Sequence, residues 1–166
     1  QNPKTPHIAH KHSIMAENWA QRSFYLLLTD RYNCEAGCTK GYCGGTWAGI
    51  EQGLEHITDL GFDAVWISPI VENTEGPNGE AGYHGYWAKN FEKVNPHFGT
   101  EESLKSLVSS AHAKDMAVVV DIVANHVGYV RDFSEVYPFK NRATTTKTAA
   151  SLTDTTSGSW RTAAFS

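Results

Sequence analysis

Two short stretches set polar, ligand-capable side chains into otherwise apolar surroundings. In DIVANHVG, residues 121 to 128, two apolar residues and an alanine lead from Asp121 to the adjacent Asn125 and His126, closed by Gly128. In GYHGYW, residues 82 to 87, Tyr83, His84, Tyr86 and Trp87 crowd around glycines 82 and 85. The residue types point to a carbohydrate. The rings of Tyr83, Tyr86 and Trp87 offer flat apolar faces that suit the C–H faces of a sugar, while the imidazoles of His84 and His126 hydrogen-bond hydroxyls. Glycines let backbone and ligand approach closely. Asn125 brings a neutral hard oxygen, suited to Ca²⁺ rather than to a soft metal. The competing reading packs these aromatics under a long loop and makes the histidines satisfied core residues.

The elements that must position these residues follow from apolar patterning. SFYLLLT (23 to 29), DAVWISP (63 to 69) and AVVVDIVA (117 to 124) are apolar runs of buried-strand length. Between them, TWAGIEQGLEHITDLG spaces Trp47, Ile50, Leu54, Ile57 and Leu60 as one helical face and stops at Gly61. GTEESLKSLVSSAHAKDM opens on Thr100 with two acids in the first turn, and carries Leu104, Leu107, Val108 and Ala111 on one face. Strand, helix, strand, helix, strand with near-continuous apolar strands predicts parallel βαβ units with both sheet faces covered. In such folds chemistry sits at the C-terminal ends of the strands. GYHGYW follows the second strand and Asn125-His126 ends the third, so each strand is a buried stalk for the polar residues after it.

Composition narrows the class. The chain has 166 residues, 40% of them hydrophobic, and a net charge of −4. That is enough for one domain, and without a basic run it argues against nucleic acid and anionic membrane surfaces. No apolar run reaches the length of a bilayer span. The N-terminus shows no charged-then-apolar leader, the expectation for a signal that is removed or was never there. Cys34, Cys38 and Cys43 crowd one loop, which fits one small disulfide, an extracellular setting and one leftover thiol, against the alternative of three free thiols in a cytosolic loop. Residues 1–16 read as a flexible arm whose His7, His10 and His12 would bind a metal only weakly.

DIVANHVG, taken with GYHGYW, YCGGTW and FYLLLTDRY in this order, closely resembles the N-terminal part of the α-amylases, in particular the secreted fungal type. The resemblance covers about residues 17–142. It implies a (β/α)₈ barrel, of which this chain holds about three βα units with a long loop after the second strand. It implies retaining hydrolysis of α-1,4-glucosidic bonds in starch or glycogen, a structural Ca²⁺, secretion, and a usually monomeric protein. By resemblance, Asn125 matches a calcium ligand, and His126, His84 and Tyr86 match residues lining the subsite for the sugar at the cleaved bond. Tyr83 belongs to the same motif, Trp87 matches an aromatic nearby in the cleft, and Asp121 matches a strand aspartate that supports the site. The family pairs two cysteines in the cysteine loop, so Cys43 is expected to pair with Cys34 or with Cys38. A sucrase- or isomerase-like relative is disfavoured by YCGGTW and that loop.

Retaining glycosidases need a nucleophilic carboxylate and an acid/base carboxylate about 5 Å apart. The resemblance places these after the fourth and fifth strands, with a third acid after the seventh, so none is present here. Asp132 and Glu135 match nothing in the motif and read as surface loop. The expectation is therefore an inactive fragment or a weak glucan-binding module of an amylase. From Ala143 to Ser166 the sequence is dominated by Thr, Ala and Ser and has no strand or helical period. Residues 143–166 read either as a disordered or O-glycosylated linker, or as a shifted reading frame: Thr, Ala and Lys codons read one base earlier allow a segment with two cysteines spaced like the family's second disulfide.

Overall fold

A computed structural model of the chain describes residues 19–75 and 81–140. The expected arm at 1–16, with its three histidines, and the tail at 143–166 lie outside the described residues.

The first strand, β1 (Phe24–Leu27), leads through a 3₁₀ turn at Thr29–Arg31 and the cysteine loop into helix α1 (Trp47–Asp59). Thr46 caps α1 by accepting the Gly49 N–H at 3.1 Å, as a hydroxyl with extended backbone does at an N-cap. Trp47, Ile50, Leu54 and Ile57 are fully buried on one stripe. Burying each such aliphatic side chain contributes roughly 1.5–3 kcal/mol. The helix ends in a reciprocal pair of bonds, Gly61 N–H to Thr58 O at 2.9 Å and Phe62 N–H to Ile57 O at 3.3 Å. Gly61 takes the left-handed conformation, φ +88°, that this ending requires.

Strand β2 (Ala64–Ile67) follows, then a short antiparallel ribbon of β3 (Val71–Asn73) and β4 (Ala88–Val94). Helix α2 (Glu101–His112) opens on a reciprocal cap between Thr100 and Ser103 and buries Leu107 and Ala111, with Glu101 and Glu102 at its positive end. The last strand is β5 (Ala117–Val120). The two helices pack together, and Ser106 and Ser110 of α2 donate to the Glu51 carboxylate of α1 at 3.0 and 2.6 Å.

The main sheet has the order β1-β2-β5, all parallel, with Leu27 beside Ile67 and Ile67 beside Val120. Side chains alternate across it. Leu27, Val65 and Ile67, with Tyr25, Val118 and Val120 beside them, join the helices in one core. The opposite face carries Phe24, Leu26 and Trp66, and Leu26 is 66% exposed. The near-continuous apolar strands predict cover on both faces, whereas three strands of an eight-stranded barrel leave much of the inner face open. The second expectation holds among the described residues, where both helices lie on one face only, because right-handed crossovers return the chain to the same side each time. The third strand is also shorter than its apolar run. Asp121 N–H still bonds Ile67 O at 3.0 Å, but β5 ends at Val120 and Ile122 is 65% exposed. Period alone cannot see where the neighbouring strand stops offering partners. The region after β2, read as a loop, contains the β3–β4 ribbon. Among the described residues no helix is long and apolar enough to cross a membrane.

Candidate functional site

The GYHGYW motif is held by β3 and by the end of β2. Asn73, buried in β3, accepts the Trp87 N–H on Oδ1 at 2.6 Å and donates from Nδ2 to Val71 O at 2.7 Å. Thr74 N–H then bonds Trp87 O at 2.8 Å, so the Trp87 peptide is clamped on both sides. The chain reverses through Gly85 N–H to Gly82 O at 2.9 Å, with Gly85 at φ +88°. A Cβ on Gly85 would lie 2.6 Å from Pro69 O, so the turn rests directly on the backbone after β2.

Three side chains converge on Tyr86. Its hydroxyl donates to Asp121 Oδ2 at 2.8 Å, its carbonyl accepts from His126 Nε2 at 2.9 Å, and its N–H donates to His84 Nδ1 at 3.0 Å. Burial, then the hydrogen bond to Asp121 and that carboxylate's charge, push the Tyr86 hydroxyl up to about 12, so at neutral pH it is a donor. The His84 imidazole is held below its ordinary range, first by burial and then by the positive charge of Arg31. Neutral and accepting on Nδ1, it carries its proton on Nε2, free to donate. The His84 ring stacks on Tyr86 at 5.6 Å between centroids and meets the edges of Trp87 and Tyr83 at 4.8 and 5.1 Å.

The structure thus brings together His84, Tyr86, Asp121 and His126, flanked by Tyr83 and Trp87. Asn125 stands apart. It is exposed, and with Asp121 and His126 it lines an adjoining cleft of about 580 Å³ whose other walls are mainly apolar, among them Ile70, Phe91, Ile122 and Phe139. The aromatic motif does not line that cleft. A calcium ion takes six to eight oxygens. Asn125 offers one, and the described residues gather no cluster of three His, Cys, Asp or Glu around a cation, so the residues described do not by themselves fit a Ca²⁺ site.

The remaining expectations resolve simply. Asp132 is exposed and accepts the Ser134 N–H at 2.9 Å, capping a short turn, and Glu135 is exposed in that turn. Cys43 pairs with Cys38, leaving Cys34 free, and the alternative of three free thiols does not hold. Two contributors escaped the sequence reading. Asn73 bonds two peptides from one buried amide, and Arg31 lies 3.8 Å from the centroid of the Tyr83 ring. The acid–base pair Asp30-Arg31, placed immediately after a strand, was the available signal for the second; Asn73 had none.

Comparison with known proteins agrees with this geometry. Residues 15–149 match the family described as "Alpha amylase, catalytic domain". An α-amylase of Saccharomycopsis fibuligera is 42% identical over 148 residues, which cover 80% of this chain and 30% of that protein. Alpha-amylase 2 of Schizosaccharomyces pombe is 40% identical over 141 residues, 76% of this chain and 24% of its own length. Among solved structures, an α-amylase from Malbranchea cinnamomea superposes with a TM-score of 0.71 at 40% identity, covering 74% of this chain and 29% of that one. An α-amylase from Geobacillus thermoleovorans, solved with acarbose, gives 0.63 at 42% identity, over 74% of this chain and 27% of that one. The chain spans less than a third of the length of each of these relatives. Three parallel strands joined by two crossover helices, a motif loop docked on the end of the second strand and these matches agree: the chain belongs to the α-amylase catalytic-domain family of glycoside hydrolases and forms part of its (β/α)₈ barrel.

Proposed function

We propose that this chain supplies the glucan-facing wall of an α-amylase acting on α-1,4-glucosidic bonds in starch or glycogen by retention. The observation that carries the reading is the convergence of Asp121, His126 and His84 on Tyr86, beside the rings of Tyr83 and Trp87. Ring faces for a sugar and an imidazole Nε2–H for a hydroxyl then lie side by side. The Geobacillus structure with acarbose, and a structure titled AmyP in complex with maltose, support an oligosaccharide as the ligand class.

The reading assigns this chain binding without turnover. Among the described residues Asp121 is the one carboxylate bonded into the cluster, and it accepts the Tyr86 hydroxyl, so it positions rather than attacks. Hydrolysis with retention needs two carboxyl groups about 5 Å apart on the scissile bond. Ca²⁺ belongs to the same proposal: Asn125 would contribute one oxygen to a cation whose other ligands come from elsewhere in a whole enzyme. The Cys38–Cys43 disulfide supports an extracellular location.

The test is calorimetric titration of the purified chain with maltoheptaose, with Trp87→Ala as control, beside a reducing-end assay on soluble starch with and without Ca²⁺. Saturable binding lost in Trp87→Ala, with no reducing ends released, supports the proposal. Calcium-dependent release of reducing ends overturns the non-catalytic assignment, and absence of binding overturns the glucan wall, leaving a fragment that binds no glucan.

A further inference from the structure

Arg31 connects two parts of the chain that the candidate site does not otherwise join. Its guanidinium lies 3.8 Å from the centroid of the Tyr83 ring. Both terminal nitrogens donate to Gly41 O at 3.1 Å, and Nη1 also pairs with the Asp30 carboxylate. Asp30 is fully buried and accepts the Cys43 N–H on both oxygens, at 3.0 and 2.8 Å. Gly41 and Cys43 both belong to the small loop closed by the Cys38–Cys43 disulfide. On the other side, the Tyr83 ring meets the His84 ring edge-on at 5.1 Å. A continuous run of contacts therefore leads from the disulfide loop through Arg31 and Tyr83 to His84.

The chemistry of the side chain fits this place. A planar guanidinium can lie over an aromatic face while its in-plane N–H groups grip a carbonyl and a carboxylate, and an ammonium cannot do all three. The buried Asp30 carboxylate, paired with Nη1, fixes one edge of the guanidinium. Deleting the stack frees Tyr83 to rotate, and with it the edge that His84 packs against.

Resting on the glucan-wall reading above, we propose that Arg31 is a positioning residue: gripped by the disulfide loop, it fixes the Tyr83 ring and through it the orientation of His84. The positive charge that helps keep His84 neutral comes from the same group. Lysine at this position would keep the charge and lose the stack.

The experiment is side-chain NMR of the full chain with labelled Tyr and His, comparing the parent, Arg31→Lys and Arg31→Gln, with the methyls of Leu54, Ile57 and Leu107 reporting that the core is intact. Both variants are expected to shift the Tyr83 ring signals, and only Arg31→Gln to raise the His84 titration midpoint. Reducing the disulfide in the parent chain should shift Tyr83 in the same direction. Unmoved Tyr83 and His84 signals in both variants, with core methyls unchanged, overturn the proposal; if Arg31→Gln unfolds, Arg31→Lys alone decides on the Tyr83 shift. An unmoved Tyr83 on reduction overturns the role of the loop. A parallel titration with maltoheptaose separates this from the glucan reading, with an expected loss of about fivefold in affinity for Arg31→Gln. Moved rings in a chain that binds no maltoheptaose keep the coupling and sink the glucan wall, whereas binding with unmoved rings does the reverse.

Discussion

The Tyr86 hydroxyl donates to the Asp121 carboxylate at 2.8 Å across 35 residues of sequence, joining the motif loop after β2 to the end of β5. Because the same tyrosine accepts from His126 through its carbonyl, the residue carrying a ring face also sets the spacing between two strand ends. Tyr86→Phe keeps the ring and removes the donor. It is expected to cost about 1–2 kcal/mol, since the partly buried carboxylate loses its partner. The pH dependence has a definite sign. The folded hydroxyl titrates at about 12 against an ordinary 10.0, so its contribution is complete below pH 10 and is lost as pH rises from 10.0 towards about 12. Urea melts of parent and variant across that window check this: the phenylalanine variant should show the shallower fall, and parallel curves would remove Tyr86 from the linkage.

Asn73 should matter more to Trp87 than any group on the tryptophan ring itself. Asn73→Ala leaves the half-buried Trp87 N–H and Val71 O without the partner they have at 2.6 and 2.7 Å. Leaving buried polar groups unsatisfied costs about 2–3 kcal/mol here. Measured by chemical denaturation, Asn73→Asp should recover part of the loss, because one carboxylate oxygen still accepts from Trp87. Equal losses in the two variants would mean that the Nδ2 donor to Val71 O matters and the acceptor does not.

Gly85→Ala combines two penalties. The residue sits at φ +88°, a left-handed conformation that costs a side chain roughly 1–2 kcal/mol. Its Cβ would also press on Pro69 O at 2.6 Å, a backbone atom that cannot swing aside. A loss of about 2–4 kcal/mol is expected in the urea midpoint, together with weaker maltoheptaose binding. Gly61→Ala, at φ +88° with open space around it, is the control and should show only the smaller conformational cost.

The thiols give a check that needs no substitution. Iodoacetamide should label Cys34 alone in the native chain, and peptide mapping should return the Cys38–Cys43 bridge. Recovery of a Cys34–Cys43 peptide would instead mean that the loop adopts the other pairing open to it.

Some of this protein was legible from its residues and some was not. The helices were legible in the residues, because their apolar spacing and caps are local: the Trp47, Ile50, Leu54, Ile57 stripe and the Thr46 and Thr100 caps act within one or two turns. The three parallel strands were legible for the same reason, but not where they end: β5 stops at Val120, short of Asn125 and His126, and GYHGYW sits between β3 and β4. Which of these residues meet depends on the folded chain. The Tyr86–Asp121 and His126–Tyr86 bonds, the clamp of Asn73 on Trp87 and the stack of Arg31 on Tyr83 each join positions far apart in the chain, and their geometry depends on the parallel register of β1, β2 and β5. The uncovered sheet face follows from barrel topology and not from local pattern: successive right-handed crossovers put α1 and α2 on the same side, so three strands of a barrel leave their inner face open. Local chemistry named the side chains, while packing over long separations fixed the distances at which they act.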